Sequence, residues 1–442
     1  GDHRDLHKEY RRQRQMCIRD RSNPSNLPPN VPEWTPYLGA GVDVNPYGMP
    51  SEHESHVVRR NVEWLTASTE SSVNFTPLQD LDGVVTPNGL CFERHHGGVP
   101  EVVPADYRLM VNGLVDRELI FTIDDLKRFP QANRFHFLEC AANGGMEWRG
   151  AQLNGCQYTF GMVHNVQYSG VRLSDICREI GVKPTAKWVL AEGGDSAGMN
   201  RSVPIEKILD DCMIAYSMNG EALRPEQGYP ARLVVPGCEG NMWVKWIRRL
   251  EFGDAPYMAR EETSKYTDLM ESGKARMFTW VMDTKSVVTS PCPEKPMMAK
   301  GQNLLKGLAW SGRGKITRVD VSLDGGVNWR TAELHGPVLS KSLTRFTPLA
   351  KQFYEKIDIY VKLLFDLGPK QSKNLLKHTK KKDCAQVRGI RFHLTLGSGF
   401  SVCPSTEITW PDTIRALSDP KKTAISATSS ARTKDFIETP AA

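Results

Sequence analysis

Residues 137–145 have the sequence Phe-Leu-Glu-Cys-Ala-Ala-Asn-Gly-Gly, which brings a cysteine to the end of a predicted strand. Arg134–Cys140 alternates large apolar and polar residues, as a strand with one buried face does. The strand delivers Cys140 directly into an Asn/Gly-rich loop, where backbone N–H groups can approach a ligand closely. A thiolate in such a place suits a redox metal, because soft ligands favour such metals. Taken alone, however, Cys140 is also explained as a buried structural cysteine before a turn.

The sequence between residues 86 and 255 predicts a mixed α+β fold. Val171–Ile180 spaces its apolar residues at helical intervals and ends at Gly181, which suits a helix C-cap. Lys187–Ala191 and Arg232–Val235 are rich in strand-forming residues and are followed by glycine turns. No regular repeat of strand, helix and strand occurs, which favours α+β over a doubly wound parallel sheet.

A second pattern begins after a charged connector that ends in a Pro-rich stretch. Lys315–Leu323 alternates two sets of residues, runs into Asp324-Gly325-Gly326 and returns through Asn328-Trp329-Arg330, which indicates a β-hairpin and the start of a β-sandwich. Lys351–Lys382 is Lys-rich and predicts helix, and the Ser/Thr/Ala/Lys-rich tail that follows predicts disorder. The predicted organisation is an N-terminal arm at 1–85 with suspected non-native sequence at 1–21, a first domain at 86–255, a connector at 256–300, a sandwich domain at 301–405 and a disordered tail at 406–442.

Composition argues against several classes of function. The apolar fraction of 40% supports a sizeable core, and a net charge of +6 over 442 residues is too small to indicate binding to nucleic acid or to a membrane surface. No apolar stretch reaches the roughly 20 residues needed to span a bilayer, and none near the start suits a signal peptide. The 10 cysteines include no CxxC pair, so neither a covalent c-type haem nor a four-cysteine zinc site is expected.

Two further clusters carry residues suited to an anionic or polar ligand. In Phe92–Pro100, Arg94 can bind an oxyanion with two hydrogen bonds and the paired histidines can donate to a polar cofactor; the alternative is a solvated loop. In Gly237–Trp246, glycines followed by Lys245 suit a phosphate held by backbone amides and one ammonium; the alternative is a tight turn with core tryptophans. Two more polar loops, singly interpreted as surface structure, are Glu192–Ser202 and Ala215–Gly220.

Taken together, these motifs resemble the molybdopterin domain of the sulfite oxidase family. That family's order and spacing are shared by five stretches, FERHHGGVP, FLECAANGG, GGDSAG, AYSMNGEALRPEQGYPARLVVPG and NMWVKWIRRLE. The amino-acid sequence of these stretches is most similar to the family's Sox-type sulfane dehydrogenase branch. The same similarity extends to NFTPLQDLDG, ANGGMEWRGAQL, EETSKYTDLM, PCPEKP and GLAWSGRGKITRVDVSLDGGVNWRTAEL. The resemblance covers residues 33–346.

The resemblance implies roles for individual residues. Cys140 would be the protein thiolate on molybdenum, Arg94 would hold an anionic sulfur oxyanion and Tyr216 would line the substrate pocket. His95 and His96 stand where the family has an Asn-His pair in contact with the pterin, so only His96 is a like-for-like match. The remaining implied cofactor contacts are Phe92, Asp195, Arg201, Ser202, Arg232, Asn241 and Lys245.

The resemblance also implies a fold, a reaction and partners. The fold would be a mixed α/β molybdopterin-binding domain followed by an immunoglobulin-like dimerisation domain. The reaction would be oxo transfer to a reduced sulfur compound, either carrier-bound sulfane sulfur or sulfite, at a molybdenum–molybdopterin cofactor. Because the chain has no haem motif, electrons would pass to a c-type cytochrome subunit. A sulfur-carrier protein as second partner, a homodimer or heterotetramer, and a periplasmic location complete the expectation.

Two alternatives to this function are open. One is an ordinary dehydrogenase of free sulfite. The other is a non-catalytic homologue that binds the cofactor or a cytochrome without turnover. The second alternative follows from the sequence after Phe346, where the family's aromatic- and Arg-rich strands, with a second pocket arginine and the dimerisation surface, give way to the Lys-rich segment.

Overall fold

Strands dominate the chain. The computed structural model describes residues 50–62, 71–145, 155–296, 304–324, 326–348, 356–366, 388–395 and 401–403. The predicted tail at 406–442, most of Lys351–Lys382 and residues 1–49 of the predicted arm lie outside the described residues. The helices of the described part are α1 Ile123–Lys127, α2 Gly155–Phe160, α3 Leu173–Ile180, α4 Ile205–Asp210 and α5 Arg260–Lys265.

The strands of the described part are β1 Arg60–Asn61, β2 Asn74–Phe75, β3 Leu109–Gly113, β4 Leu119–Phe121, β5 Gln131–Glu139, β6 Val163–Arg172, β7 Trp188–Gly193, β8 Asn200–Pro204, β9 Met213–Met218, β10 Glu221–Ala222, β11 Arg232–Val234, β12 Ile247–Gly253, β13 Asp268–Leu269, β14 Ala275–Arg276, β15 Lys285–Ser290, β16 Lys306–Trp310, β17 Lys315–Ser322, β18 Arg330–Thr331, β19 Glu333–His335, β20 Thr344–Thr347, β21 Lys356–Asp366, β22 Arg388–Thr395 and β23 Ser401–Cys403.

The first sheet positions the predicted cysteine. Its strand order is β10-β9-β6-β5, with β11 also paired to β9, and all of these pairs are antiparallel. β5 and β6 pair along their whole length, from Gln131 opposite Val171 to Glu139 opposite Val163. The strand predicted at 134–140 is therefore confirmed, and it ends immediately before Cys140.

The second sheet, in the order β4-β3-β12-β7-β8, completes the mixed fold of the first domain. Its β12–β3 pair is parallel and its other pairs are antiparallel. α3 buries Leu173, Ile176 and Ile180 and ends at Gly181, whose φ of 68° is the left-handed conformation that glycine adopts without strain. Short helices between largely antiparallel strands confirm the α+β prediction.

Two further sheets form the predicted sandwich. Their strand orders are β15-β16-β20-β19 and β18-β17-β21-β22-β23. Side chains from both sheets share one core, with Ala309 and Phe346 from the first packed with Ile316, Val319 and Val361 of the second. The predicted hairpin is also confirmed, because β17 pairs with β18 at Asp320 and Thr331.

Two sequence-based predictions for this region are wrong. A bulge in β17 between Ile316 and Arg318 breaks the predicted alternation, so that Ile316, Val319 and Val321 are all buried. The helix predicted from residue 351 onward is instead β21, Lys356–Asp366, which pairs with β17. Its β-branched residues recur at every second position, and its pairing with β17 is a tertiary contact that a lysine count does not reveal.

The sandwich packs directly on the first domain. Phe137 and Val163 from the first sheet share a buried cluster with Leu308 and Trp310 of β16. None of the helices in the described ranges combines the length and apolar character needed to cross a membrane.

We predict that acid weakens this packing through His136. The side chain is buried, its Nδ1 lies 3.3 Å from the Lys341 carbonyl oxygen, and desolvation lowers its pKa to about 4. Because the unfolded chain binds a proton near pH 6.5 and the folded chain does not, stability falls as the pH drops from 6.5 towards 4. One such site costs about 2 kcal/mol between pH 7 and pH 5.

The measurement is chemical denaturation of the wild type and His136→Gln at pH 7 and pH 5. The variant should show the smaller loss of stability on acidification. Equal losses in both proteins would contradict the assignment.

Candidate functional site

Cys140 opens into a cavity of about 840 Å³. The cavity brings together residues that are far apart in the sequence, from the loop after β2, the loop after β5, the loop after β7 and the segment between β11 and β12. Of the predicted site residues, the following line it: Phe92, Arg94, His95, His96, Cys140, Asp195, Arg232, Asn241 and Lys245. Arg201, Ser202 and Tyr216 do not belong to its lining.

The backbone around Cys140 is held by the neighbouring strand. The Cys140 N–H donates to the Met162 carbonyl at 3.0 Å, and the Cys140 carbonyl accepts from the Asn143 N–H at 2.9 Å. Burial raises the pKa of the Cys140 thiol, whereas an N–H bond from Ala142 and the Arg94 charge act in the opposite direction. A metal bound to this sulfur would replace the proton, because the thiolate is the ligand form.

Arg94 lies in the loop after β2, where it lines the cavity and forms a short bridge with Val73. Its Nη1 donates to the carbonyls of Ser72, at 3.4 Å, and of His95. These bonds fix the guanidinium on its own loop. At Gly97 this loop packs closely against the loop after β7. A Cβ at this position would lie 2.5 Å from the Ser196 Oγ, which donates a hydrogen bond to the Gly97 carbonyl.

His95 has both ring nitrogens engaged within the protein. Its Nε2 lies 2.9 Å from Glu93 Oε2 and its Nδ1 lies 2.9 Å from Lys245 Nζ. Burial and the Lys245 charge lower the pKa of His95 to about 3, so the ring is neutral at pH 7 and donates from Nε2 to the carboxylate. His96 is exposed to the cavity. The two histidines therefore differ in kind, and only His96 is available to a ligand.

Lys245 and Arg232 are cations placed for an anion. Lys245 Nζ also donates to the carbonyls of Arg94 at 3.2 Å and Glu226 at 3.0 Å, and burial beside Arg232 lowers its pKa well below the ordinary value. Arg232 is 2% exposed, and none of the ion pairs among the described residues gives it a carboxylate partner. Its Nε has no hydrogen-bond partner within the described part of the chain. A buried guanidinium without a counter-charge is costly, and an anionic ligand in the cavity would relieve that cost.

Arg201 and Ser202 lie behind the cavity wall rather than in it. Both are fully buried on β8 and both contact the carboxylate of Glu262, with Arg201 Nε at 3.5 Å and Ser202 Oγ at 3.0 Å. Arg201 donates from Nη1 to Asn241, and its guanidinium lies 4.5 Å from the ring centroid of Tyr266. Their contacts position lining residues, since Asn241 and Tyr266 face the cavity.

Tyr216, which the resemblance places in the substrate pocket, is not among the residues that line the cavity. It lies on β9, where its ring packs against the main core of the first domain and its hydroxyl hydrogen-bonds to Gln131. The tyrosine that lines the cavity is Tyr266, from the segment predicted to be a connector. Tyr266 belongs to the stretch EETSKYTDLM, which resembles the family, but no local pattern in that stretch indicates that it lines the site.

Several other lining residues were not predicted. Glu239 lies in the glycine-containing stretch Gly237–Trp246 but is not among the predicted site residues. Burial raises the pKa of its carboxyl, and Asn241 Nδ2 donates to that carboxyl at 2.8 Å. His164, on β6, is buried against the Phe92 ring, with a centroid distance of 5.0 Å, and its Nδ1 lacks a partner within the described residues. Residues from the supposed connector also line the cavity, namely Glu261, Lys265, Asp268 and Thr279.

Comparison with known families identifies both domains. Residues 96–261 match the oxidoreductase molybdopterin binding domain, and residues 276–366 match the Mo-co oxidoreductase dimerisation domain. Among solved structures, sulfane dehydrogenase SoxCD from Paracoccus pantotrophus is 50% identical, with a TM-score of 0.75, and the match covers 86% of this chain and 98% of that one. The chain belongs to the sulfite oxidase family.

Other similar proteins share less sequence with this chain. Mitochondrial sulfite oxidase from Rattus norvegicus is 31% identical over 294 residues, which cover 62% of this chain and 54% of the relative. Sulfite oxidase from Gallus gallus is 32% identical, covering 62% and 64%, and nitrate reductase from Hordeum vulgare is 29% identical, covering 69% and 38%. The chain thus spans about half the length of the mitochondrial relatives that it matches. The resemblance to this family and the predicted immunoglobulin-like second domain are confirmed.

The residues present fit the family's molybdenum–molybdopterin cofactor. Among the described residues, no group of three His, Cys, Asp or Glu side chains lies close enough to hold a metal ion. Cys140 would hold the metal through its soft thiolate, and the cofactor would supply the remaining ligands. The buried Arg232 and the Nδ1 of His164, both lining the cavity without full partners, suit the cofactor's anionic and polar atoms.

We predict that Glu262 stabilises the buried Arg201 behind the cavity wall. Glu262→Ala leaves the buried Arg201 guanidinium without its counter-charge, and removal of one partner of a buried ion pair costs about 3–5 kcal/mol. The free energy of unfolding of the cofactor-free protein, measured by denaturant titration, should fall by this amount.

The matched control is Arg178→Ala, which breaks the exposed pair with Asp175 at 3.0 Å and should cost less than about 1 kcal/mol. Equal effects of the two substitutions would contradict the role assigned to Glu262.

Proposed function

We propose that this molybdenum oxidoreductase oxidises a reduced sulfur compound, with carrier-bound sulfane sulfur as the first candidate substrate. The observation that carries the proposal is the position of Cys140, which lines a cavity shared with Arg94 and whose thiol is influenced by the Arg94 charge. The 50% identity to a sulfane dehydrogenase over nearly all of that protein supports the choice of substrate.

The cofactor, when bound, supplies oxygen-atom transfer and accepts two electrons. The chain's own residues hold and orient the reactants. Cys140 would hold the metal through its thiolate, and Arg94 would hold the anionic sulfur oxyanion with charge-assisted hydrogen bonds that strengthen as charge develops. Arg232, Lys245 and His96 would hold the anionic and polar parts of the cofactor. Glu239, whose pKa is raised by burial, would accept a proton released when water supplies the oxygen atom.

Electrons are proposed to leave to a c-type cytochrome. The 442 residues contain no CxxCH motif, so the haem of the proposed acceptor lies outside them. The match of residues 276–366 to a dimerisation domain supports a homodimer or heterotetramer. We also propose a sulfur-carrier protein as the substrate's bearer and, by family resemblance, a periplasmic location.

Free sulfite is the second candidate substrate, favoured by the similarity to sulfite oxidases from Rattus norvegicus and Gallus gallus. Turnover with sulfite and with a peptide that carries a cysteine persulfide, each with an oxidised c-type cytochrome as acceptor, separates the two. The persulfide peptide should be the better substrate by kcat/KM. Preference for sulfite would favour the second candidate, and no turnover of either by molybdenum-loaded protein would favour a non-catalytic homologue.

We predict that Cys140→Ser removes the metal-bound thiolate. Protein expressed in a host that makes molybdopterin should contain about one molybdenum atom per chain and should show a thiolate-to-metal absorption band. The variant should lose that band, because a hydroxyl is a harder and less basic donor than a thiolate at neutral pH. Elemental analysis and the visible spectrum are the measurements. Cys91→Ser, at a fully buried cysteine outside the cavity lining, is the control and should keep the band.

A second prediction compares the two candidate tyrosines. Tyr266→Phe keeps the ring against Arg201 but removes the hydroxyl, and should lower kcat/KM by about tenfold or more if that hydroxyl meets a charged group in the site. Tyr216→Phe, on β9, should leave kcat/KM within about twofold, as expected of a residue outside the cavity. The reverse order of effects would restore Tyr216 as the pocket tyrosine.

A further inference from the structure

The carboxylate of Glu139, immediately before Cys140, is 0% exposed. A buried carboxylate is stable only when donors replace the water it loses. Three donors do so: Lys285 Nζ lies 2.9 Å from Oε1, Asn143 Nδ2 lies 3.1 Å from Oε1, and Trp310 Nε1 lies 2.7 Å from Oε2. Glu139 is therefore bound on both oxygens.

Two of the three donors come from the sandwich domain. Lys285 begins β15 and Trp310 ends β16, and they face each other in the β15–β16 register. The third donor, Asn143, belongs to the cysteine loop, and its Oδ1 accepts from the Met162 N–H at 3.1 Å. The carboxylate thus joins the sandwich, the end of β5 and the loop that carries the metal ligand.

The backbone leaves Glu139 and Cys140 little freedom to move separately. The two residues share a peptide bond, and the Cys140 N–H is bonded to Met162. Gly240, which lines the cavity, packs closely against the same peptide: a Cβ at Gly240 would lie 2.8 Å from the Glu139 carbonyl oxygen. A shift of the Glu139 side chain is therefore transmitted to the Cys140 backbone.

We propose that Glu139 is a positioning residue through which the sandwich domain sets the position of the Cys140 sulfur. The proposal rests on the proposed function, in which that sulfur is the protein's ligand to molybdenum. It adds a role for Lys285 and Trp310, which lie in a domain otherwise associated with dimerisation. Groups outside the ligand set that orient a ligand atom tune a metal site.

The test uses the full chain loaded with cofactor and three variants of the donors. Trp310→Phe removes one N–H while keeping a ring in the buried cluster. Lys285→Met removes the charge while keeping the stem, and Lys285→Arg keeps the charge. The thiolate-to-metal absorption band is the main measurement, with molybdenum content, melting temperature and kcat beside it.

The first two variants should shift or weaken the band and lower kcat by about tenfold, the lower end of the effect of such supports. Lys285→Arg should keep the wild-type band. The matched control is Ser311→Ala, which removes a buried hydrogen bond of 3.0 Å between Thr284, immediately before β15, and Ser311, immediately after β16. It should lower the melting temperature like Trp310→Phe but leave the band unchanged.

An unchanged band in both Trp310→Phe and Lys285→Met would overturn the positioning role, as would equal band shifts in Ser311→Ala or in Lys285→Arg. These outcomes leave the proposed function intact if the wild type still contains molybdenum and Cys140→Ser still loses the band. A wild type without molybdenum or without that band would instead overturn the proposed function, and the positioning role with it.

Discussion

The structure depends on how a buried carboxylate is satisfied. Glu139 has no exposed surface, and its donors Lys285 and Trp310 come from strands more than 140 positions further along the chain. Burying the carboxylate without donors, or the indole N–H of Trp310 without an acceptor, would cost free energy. Docking of the two domains satisfies both at once. The same contact lies one residue from Cys140, so the geometry of the candidate metal site is inseparable from the packing of the domains.

The wall of the cavity, in contrast, contains buried cations that have no anionic partner among the described residues. Arg232 is buried without a carboxylate partner among the described residues, and Lys245 donates to two carbonyls and a neutral imidazole rather than to an anion. Trp246, next to Lys245, adopts a positive φ of 49°, a conformation that costs energy for a bulky residue. Cations and strain that the protein alone does not compensate are expected where a ligand completes the structure. The molybdopterin cofactor, with its anionic phosphate, is of the charge that this wall requires.

The sequence correctly predicted those elements that depend on residues close together along the chain. The alternation at 134–140, the helical spacing that ends at Gly181 and the glycine turn after β17 each act within a few residues, and each element is present. Contacts between distant segments are not visible in such patterns. Whether Tyr216 or Tyr266 reaches the cavity depends on the path of the chain after β12, and the burial of Arg201 against Glu262 depends on α5 folding back on β8. The domain boundaries and the individual roles of the site residues stay predictions.

The division of the site between segments bears on substrate choice. The cofactor-facing loops with Cys140, Asp195 and Lys245 fall within the matched molybdopterin domain at 96–261, whereas the dimerisation domain match begins at 276. Between the two matches lie Lys265, Tyr266 and Asp268, all on the cavity lining. Family membership therefore says more about the cofactor chemistry than about the substrate, because the exposed part of the cavity lining, its rim, includes Lys265 and Asp268 from a segment outside both matches. Sulfite and a carrier-bound sulfane differ chiefly in the bulk behind the sulfur, and it is this rim that the bulk would contact.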